Sequence, residues 1–282
     1  MICLTGDIHH QSLGTGNQQH CSETEVAIAR RYTDMLREAG VKTTFFVSGR
    51  TFVEQWDELR PIALAPHVEI GGHNYDCFQP AIVHRLWKKI GGAYTGPSWM
   101  ELRDVERTIR TIHAYTGKRI RLWRNHMYMH GPETNRILAA RGILACSDGV
   151  SATSRGPRWT EDGVVDVKIN VMPDHEHLLH AERTPEWVAA WQKRYGFCDA
   201  FGPESYRIEE WTEIVLDQLR ANEARGAVST MIIHPITMWL CDRFASFERI
   251  LDFVSRRRTE HLGDVVARLP RPTPEALLAQ AS

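Results

Sequence analysis

Short apolar stretches alternate with longer segments in which apolar residues recur every three or four positions. The short stretches are rich in β-branched and aromatic residues, as in the sequence TTFF after Lys42. Such a composition favours β-strands, whereas a period of three to four residues favours amphipathic helices. Seven strands are predicted, at 1–5, 41–48, 68–70, 119–123, 143–146, 164–168 and 229–233.

Helical segments separate most of these strands. Two of them open with a serine three positions before a glutamate, Ser22 with Glu25 and Ser98 with Glu101. This spacing is typical of a capping box, in which each side chain bonds to the other residue's backbone N–H. The predicted helices end near residues 39, 64, 116, 142, 225 and 257.

The alternation of strands and helices is typical of an α/β fold with a parallel sheet or a barrel. No repeat or low-complexity linker divides the chain, so a single domain is predicted over residues 1–282. Apart from the strand at 164–168, the region 149–208 lacks a clear period. It is predicted to hold an insertion or a long active-site loop.

Composition narrows the classes of partner. The chain has 34 Lys and Arg against 35 Asp and Glu, a net charge of −1, which argues against a nucleic-acid or anionic-membrane partner. No apolar run approaches the 18 or so residues that a membrane span needs. The six cysteines form no CxxC pair, and no targeting segment is visible, so a reduced, cytoplasmic protein is expected. The expected partner is a small molecule, and self-association stays open.

Chemically capable side chains follow the ends of most predicted strands. In α/β barrels and open sheets, the carboxyl ends of the strands meet at the edge where active sites lie. The pattern therefore predicts one site built from several strands, although the chain has 14 histidines in all. The residues concerned are Asp7, His9, His10, His73, Arg124, His126, Asp148, Asp174 and His234.

Several of these residues lie in recognisable motifs. The chain reads TGDIH at 5–9, VKTTFFVSGR at 41–50, EIGGHNYDC at 69–77, RNHM at 124–127 and IHP at 233–235. In order and spacing these resemble the motifs of the polysaccharide deacetylase family (carbohydrate esterase family 4), over about residues 1–265. The strand at 41–50 and the motif at 69–77 are the most specific parts.

The resemblance implies a deformed (β/α)7 barrel and a metal-dependent removal of acetyl groups from N-acetyl sugars. The metal in that family is usually zinc. By position, Asp7 resembles the general base and Arg124 the residue that orients it. His73 resembles the first histidine ligand, and His234 resembles the general acid.

The chain departs from the family at two ligand positions. His9 stands where the family has a metal-binding Asp, and Cys77 stands where it has a second His. A set of His9, His73 and Cys77 suits zinc, with an open position for water. Alternatively Cys77 is an inert buried thiol and Asp7 or His10 completes the set, or the metal is absent.

Four further residues are predicted to contact substrate: His10, His126, Asp148 and Asp174. His126 takes the place of a family proline, which indicates a remodelled pocket. The sequence PDHEH at 173–177 fits a substrate loop, a second metal site or a solvated turn equally well.

The predicted function is removal of an N-acetyl or similar acyl group from an amino sugar or a small biosynthetic intermediate. Metal-activated water would attack, with Asp7 as base and His234 as acid. One alternative is a ring-opening or formyl-type amidohydrolase acting on a small non-sugar substrate. Another is a catalytically silent member that binds a ligand, which the altered metal positions motivate.

Overall fold

The computed structural model describes residues 1–181 and 183–272. Within these residues eight strands form one sheet. Five of them consist of buried residues alone, as expected for parallel strands covered on both faces. The strands are β1 (Ile2–Ile8), β2 (Thr43–Val47), β3 (Val68–Gly72), β4 (Leu122–Trp123), β5 (Ala145–Cys146), β6 (Arg158–Trp159), β7 (Val165–Asp166) and β8 (Ser229–Ile232).

The strand order is β6-β7-β5-β4-β3-β2-β1-β8, and every neighbouring pair is parallel except β6 with β7. The sheet curls into an open barrel, and the predicted α/β barrel with seven parallel strands is confirmed. Strand β6 adds an eighth, antiparallel strand. Its two residues, Arg158 and Trp159, are exposed or half-buried, so no hydrophobic pattern marked it.

Strand β1 is longer than predicted and extends to Ile8. Asp7 therefore lies inside the strand, in register with Phe46 of β2. All seven residues of β1 are buried. A carboxyl group placed in such a strand must find a partner inside the protein, because burial without one is costly.

Irregular chain bridges the gap between β7 and β8. The backbone N–H of Asn170 donates to the carbonyl oxygen of Thr230, and the N–H of Thr230 donates to Asn170 Oδ1, at 3.0 and 2.8 Å. Asn170 Nδ2 also donates to the carbonyl oxygens of Ser154 and Val228, both at 2.9 Å. One buried amide thus joins three chain segments at the edge of β8 that faces away from β1.

Thirteen α-helices lie within the described ranges, together with 3₁₀ turns at Gln11–Leu13 and His126–Tyr128. The helices are α1 (Gly16–Gln19), α2 (Glu25–Glu38), α3 (Gly49–Glu54), α4 (Trp56–Ala63), α5 (Ala81–Gly91), α6 (Ser98–Thr116), α7 (Thr134–Ala140), α8 (Asp174–His177), α9 (Pro185–Tyr195), α10 (Ile208–Ala224), α11 (Pro235–Asp242), α12 (Ala245–Ser255) and α13 (Leu262–Ala267).

Both predicted capping boxes are wrong. Helix α2 is capped by Thr24, whose hydroxyl accepts a hydrogen bond from the N–H of Ala27 at 3.0 Å. Helix α6 follows Pro97, and Ser98 is its first residue. Glu25 and Glu101 are buried, and their carboxylates bond to distant residues instead.

The region 149–208 is more regular than predicted, since it holds the β6–β7 hairpin and helices α8 and α9. Residue 182 of this region and residues 273–282 of the predicted domain lie outside the described residues. The single-domain boundary of 1–282 stays a prediction. No helix of the described ranges is long and apolar enough to cross a membrane.

Replacing Asn170 tests the bridge between β7 and β8. We expect Asn170→Ala to lower the free energy of unfolding by about 3 kcal/mol, because it leaves buried peptide groups unpaired. Urea titration followed by circular dichroism measures the change. Asn135→Ala, at a half-buried helical position, is the matched control. Equal effects of the two substitutions would show that the bridge contributes nothing particular.

Candidate active site

Four predicted catalytic or metal-binding side chains converge at the carboxyl edge of the sheet. Asp7 comes from β1, His73 follows β3, Arg124 follows β4 and His234 follows β8. The strands that supply the first three are consecutive or nearly so in the sheet. Parallel pairing therefore brings residues from distant parts of the chain to one place.

Arg124 is fully buried at the centre of this edge. Its Nη1 donates to Asp7 Oδ1 at 2.9 Å, and its Nη2 donates to the hydroxyls of Thr5 and Ser147 at 3.0 and 2.9 Å. Nε donates to the carbonyl oxygen of Ser147 at 3.0 Å. The guanidinium also lies over the Phe46 ring, 4.3 Å from its centroid. This network compensates the buried charge of Arg124 and fixes the orientation of its side chain.

The second oxygen of Asp7 is left facing two imidazoles. Oδ2 lies 3.8 Å from His73 Nε2 and 3.7 Å from His234 Nε2. Burial raises the pKa of Asp7, but the positive charge of Arg124, assisted by the nearby histidines, outweighs burial and lowers the pKa to about 2. Asp7 is therefore a carboxylate at neutral pH.

His9 is held from behind by the first residue of α2. Glu25 Oε1 accepts hydrogen bonds from both Nδ1 and the backbone N–H of His9, at 2.9 and 3.0 Å. Gln18 donates to the other oxygen at 2.9 Å. Burial raises the pKa of Glu25, yet the interaction with His9 outweighs it and lowers the pKa. Since an ionised carboxylate only accepts, Nδ1 of His9 carries the proton and Nε2 faces the site.

His73 is oriented in the same way by the backbone. Its Nδ1 lies 2.9 Å from the carbonyl oxygen of Arg124, which can only accept, so Nδ1 is the donor. Burial lowers the pKa of His73 to about 4, so the ring is neutral. Its Nε2 lies 3.2 Å from His9 Nε2. The two Nε2 atoms therefore face each other, and a cation between them would bind to both.

A third imidazole joins this pair. His126 Nδ1 lies 3.3 Å from His73 Nε2. Around a tetrahedral zinc, ligand nitrogens at ~2.0–2.1 Å from the metal lie about 3.3 Å apart. The two measured separations match this spacing. The donor set of His9, His73 and His126 thus fits a zinc ion.

Cys77 belongs to the same group of donor atoms. Its sulfur and the nitrogens of His9, His73 and His126 all lie within 4.8 Å of one another. Burial raises the pKa of the Cys77 thiol well above its usual range. The structure therefore brings the three predicted ligands together and adds His126, which the sequence had indicated for substrate binding.

His234 and Asp174 form a bonded pair. Asp174 is fully buried, and its two oxygens accept from Nδ1 and the backbone N–H of His234, both at 2.7 Å. Burial lowers the pKa of His234, but Asp174, together with Asp7, outweighs this and raises it to about 9. Asp174, indicated as a substrate-binding residue from sequence, lies behind His234 and does not line the pocket.

A pocket of about 170 Å³ opens onto these groups. Its lining combines carboxylates, imidazoles and small polar side chains with two apolar ones. The lining residues are Asp7, His9, Thr15, Asn17, Glu25, His126, Met127, Tyr128, His175, Glu176, His234 and Ile236.

Two other predicted substrate-binding residues lie outside this lining. His10 is fully buried, and its Nδ1 lies 3.0 Å from the hydroxyl of Ser48. Asp148 accepts from the backbone and side chain of Asn125 at 2.7 and 2.8 Å, and lies 2.8 Å from His130 Nδ1. Asp148 therefore supports the turn that carries His126 and borders a separate pocket.

Sequence reasoning missed several pocket residues, among them Glu25, Tyr128 and Glu176. Glu25 carried a signal, a glutamate near a helix start, but the pattern was interpreted as a cap. Glu176 lies in the PDHEH segment at 173–177, in which Asp174 is the residue predicted to contact substrate.

The chain matches a known family over part of its length. Residues 23–142 match the family described as polysaccharide deacetylase. This part of the chain is therefore similar to polysaccharide deacetylases. No curated protein matches the chain.

Solved structures share the fold of nearly the whole chain at low sequence identity. A protein from Mycobacterium smegmatis, assigned as a polysaccharide deacetylase, is 19% identical with a TM-score of 0.70, covering 96% of this chain and 94% of that one. A protein from Pseudomonas aeruginosa PAO1 with the same assignment is 15% identical with a TM-score of 0.64, covering 97% and 91%. Puue allantoinase is 14% identical with a TM-score of 0.64, covering 94% and 88%. These likenesses show the fold.

Breaking the Arg124–Asp7 pair tests its role in holding the site. We expect Arg124→Met to lower the free energy of unfolding by about 3–5 kcal/mol, because it leaves the Asp7 carboxylate buried without its cation. The double variant Arg124→Met with Asp7→Asn should recover at least half of this loss. Arg110→Met, on an exposed helical position, is the control, and urea denaturation is the measurement. A loss of under about 1 kcal/mol in Arg124→Met would contradict a tightly coupled pair.

Proposed function

We propose that the protein is a metal-dependent hydrolase that removes an N-acetyl or similar acyl group from an amino sugar or a small biosynthetic intermediate. The match of residues 23–142 to the polysaccharide deacetylase family supports hydrolysis of an acyl group in general. The observation that carries the finer proposal is the convergence, at one edge of the sheet, of an ionised Asp7, the imidazoles of His9, His73 and His126, and a protonated His234.

His9, His73 and His126 would hold the metal, with Cys77 beside them. Imidazole nitrogen with a sulfur nearby is a donor set that suits zinc. A divalent ion bound there would supply Lewis acidity to the attacking water and to the acyl oxygen. The hydrogen bonds from Nδ1 of His9 to Glu25 and from Nδ1 of His73 to the Arg124 carbonyl hold both rings in the ligating tautomer.

Asp7 would act as the general base. Its Oδ1 is occupied by Arg124, so Oδ2 is the oxygen that accepts the proton of the attacking water. Because Arg124 is fully buried and bonded on several sides, it prevents the carboxylate from rotating away. Arg124 therefore acts as the residue that orients the base.

His234 would act as the general acid. Its raised pKa of about 9 keeps the ring protonated at neutral pH, and Asp174 holds Nδ1 so that Nε2 points toward Asp7 and the pocket. A proton on Nε2 is then available for the departing nitrogen of the substrate.

The same groups would also serve the ring-opening or formyl-type amidohydrolase. The small volume of the pocket, about 170 Å³, favours a compact substrate in either reaction. Acetate release from a panel of N-acetyl sugars, compared with loss of small cyclic amides, separates the two. A silent ligand-binding protein would transform neither panel.

Metal content tests the proposed ligand set. We expect about one divalent metal per purified chain by plasma mass spectrometry. His73→Ala should remove it, because a deleted imidazole leaves too few donors. Cys77→Ser should keep most of it, since the three imidazole nitrogens already have the spacing of zinc ligands. His20→Ala, an exposed histidine, is the control.

The outcome for Cys77→Ser decides the role of the thiol. Loss of the metal in this variant would make Cys77 an essential ligand in place of His126. A wild-type protein that binds no zinc, manganese, cobalt or nickel after reconstitution would overturn the metal mechanism.

Replacing His234 tests its proposed role as the general acid. We expect His234→Ala to lower kcat about 10²–10⁴-fold with little change in KM, because proton transfer to the leaving nitrogen is lost. Metal content should stay near that of the wild type. The assay is acetate release from the best substrate of the panel, with His20→Ala again as control. An unchanged kcat would remove His234 from the mechanism.

A further inference from the structure

Three residues that line the pocket, Asn17, Tyr128 and Glu176, each carry a buried polar atom without a hydrogen-bond partner in the described residues. In Tyr128 and Glu176 these atoms are the hydroxyl and Oε2. Both side chains line the pocket that contains Asp7 and His234. Leaving a buried polar atom unpaired is costly, so several in one pocket need an explanation.

The charge balance of the pocket singles out Glu176. The other carboxylates around the site each bond to a positive or polarised partner: Asp7 to Arg124, Glu25 to His9 and Asp174 to His234. For Glu176 Oε2 no such partner is seen in the described part of the chain, and the carboxylate is bonded to the backbone N–H of Glu176 itself. Burial raises the pKa of Glu176 to about 7, and the protonated His234 offsets this only in part.

The remaining lining also favours a positive ligand group. Among the described residues that line the pocket there is neither lysine nor arginine, whereas three are carboxylates. A phosphate or carboxylate beside Glu176 would meet a second acidic group, and the protonated His234 of the lining is already bonded to Asp174. A protonated amine would instead donate to Oε2 and to the Tyr128 oxygen and restore the ionised form of Glu176.

The turn that presents Tyr128 is held in an unusual conformation. Met127 and Tyr128 have positive φ values of 54° and 55°, a left-handed backbone that non-glycine residues seldom adopt. Such conformations are concentrated at sites that bind ligands. The turn therefore places the Tyr128 ring in the pocket wall at an energetic cost.

We propose that Glu176 and Tyr128 form a recognition subsite for a protonated amine, so that the preferred substrate is a monoacylated diamine or an N-acetyl amino sugar with a second, free amine. This inference rests on the proposed function, since it specifies the substrate of the same site. Glu176 acts as a specificity-determining residue and takes no part in bond cleavage.

Binding of two matched probes tests this subsite apart from turnover. The probes are N-(2-aminoethyl)methanesulfonamide and N-(2-hydroxyethyl)methanesulfonamide, which differ in one ammonium group and lack an acyl carbon to hydrolyse. We expect the full-length, metal-loaded protein to bind the amine about tenfold more tightly or better by calorimetry, as a charge-assisted hydrogen bond provides. Glu176→Gln should abolish the preference and leave binding of the alcohol unchanged, and Tyr128→Phe should reduce it in part.

Equal binding of the two probes by the wild-type protein would by itself refute the amine subsite. It would indicate that water occupies the space beside Glu176 and Tyr128. The comparison also separates this inference from the proposed function. A preference for the amine in a protein that releases no acetate refutes the hydrolase and keeps the subsite. Acetate release without a preference for the amine refutes the subsite and keeps the hydrolase.

Discussion

The geometry of the site depends on one buried charge. Arg124 has no exposed surface, and removing a guanidinium from water costs several kcal/mol unless its N–H groups are all directed at acceptors. Those acceptors come from β1 and from the segment after β5, so the ends of separate strands are tied to a single planar group. The same residue uses its carbonyl oxygen to orient His73. Arg124 thus sets the positions of both the carboxylate and the first imidazole.

From this constraint follows the electrostatic character of the imidazole cluster. Since Nδ1 of His73 donates to a carbonyl oxygen and Nδ1 of His9 donates to Glu25, the two Nε2 atoms are directed at each other, 3.2 Å apart. Helix α2 and the turn after β4 hold the rings in this position from behind. A cation between the rings would therefore be bound without reorganisation, which is the condition for a tight and selective site.

The sequence predicts those site residues whose positions follow from the strand topology alone. Because β1, β3, β4 and β8 are parallel, Asp7, His73, Arg124 and His234 had to meet at one edge, and they do. Residues whose role depends on a side-chain direction in a loop were not predictable in this way. Periodicity does not reveal that Asp174 turns toward His234, 60 positions away, or that Asp148 supports Asn125.

At the start of α2, a local preference for helix capping competes with a tertiary contact of the same glutamate. Ser22 and Glu25 have the spacing of a capping box, and a glutamate in the first turn is favourable in any helix. In the fold the cap is Thr24, and the Glu25 carboxylate serves His9 instead. The need to orient a histidine, which arises only once β1 and α2 are packed, overrides the local preference.

The pKa values of the two imidazoles beside Asp7 are shifted in opposite directions. Both are buried, and burial alone would lower both pKa values. His73, whose Nδ1 meets a neutral carbonyl, has a pKa of about 4, whereas His234, whose Nδ1 meets the Asp174 carboxylate, has a pKa of about 9. Their Nε2 atoms lie 3.8 and 3.7 Å from the same Asp7 oxygen. The partner behind each ring, more than its distance from Asp7, thus separates a lone-pair donor from a proton donor within one pocket.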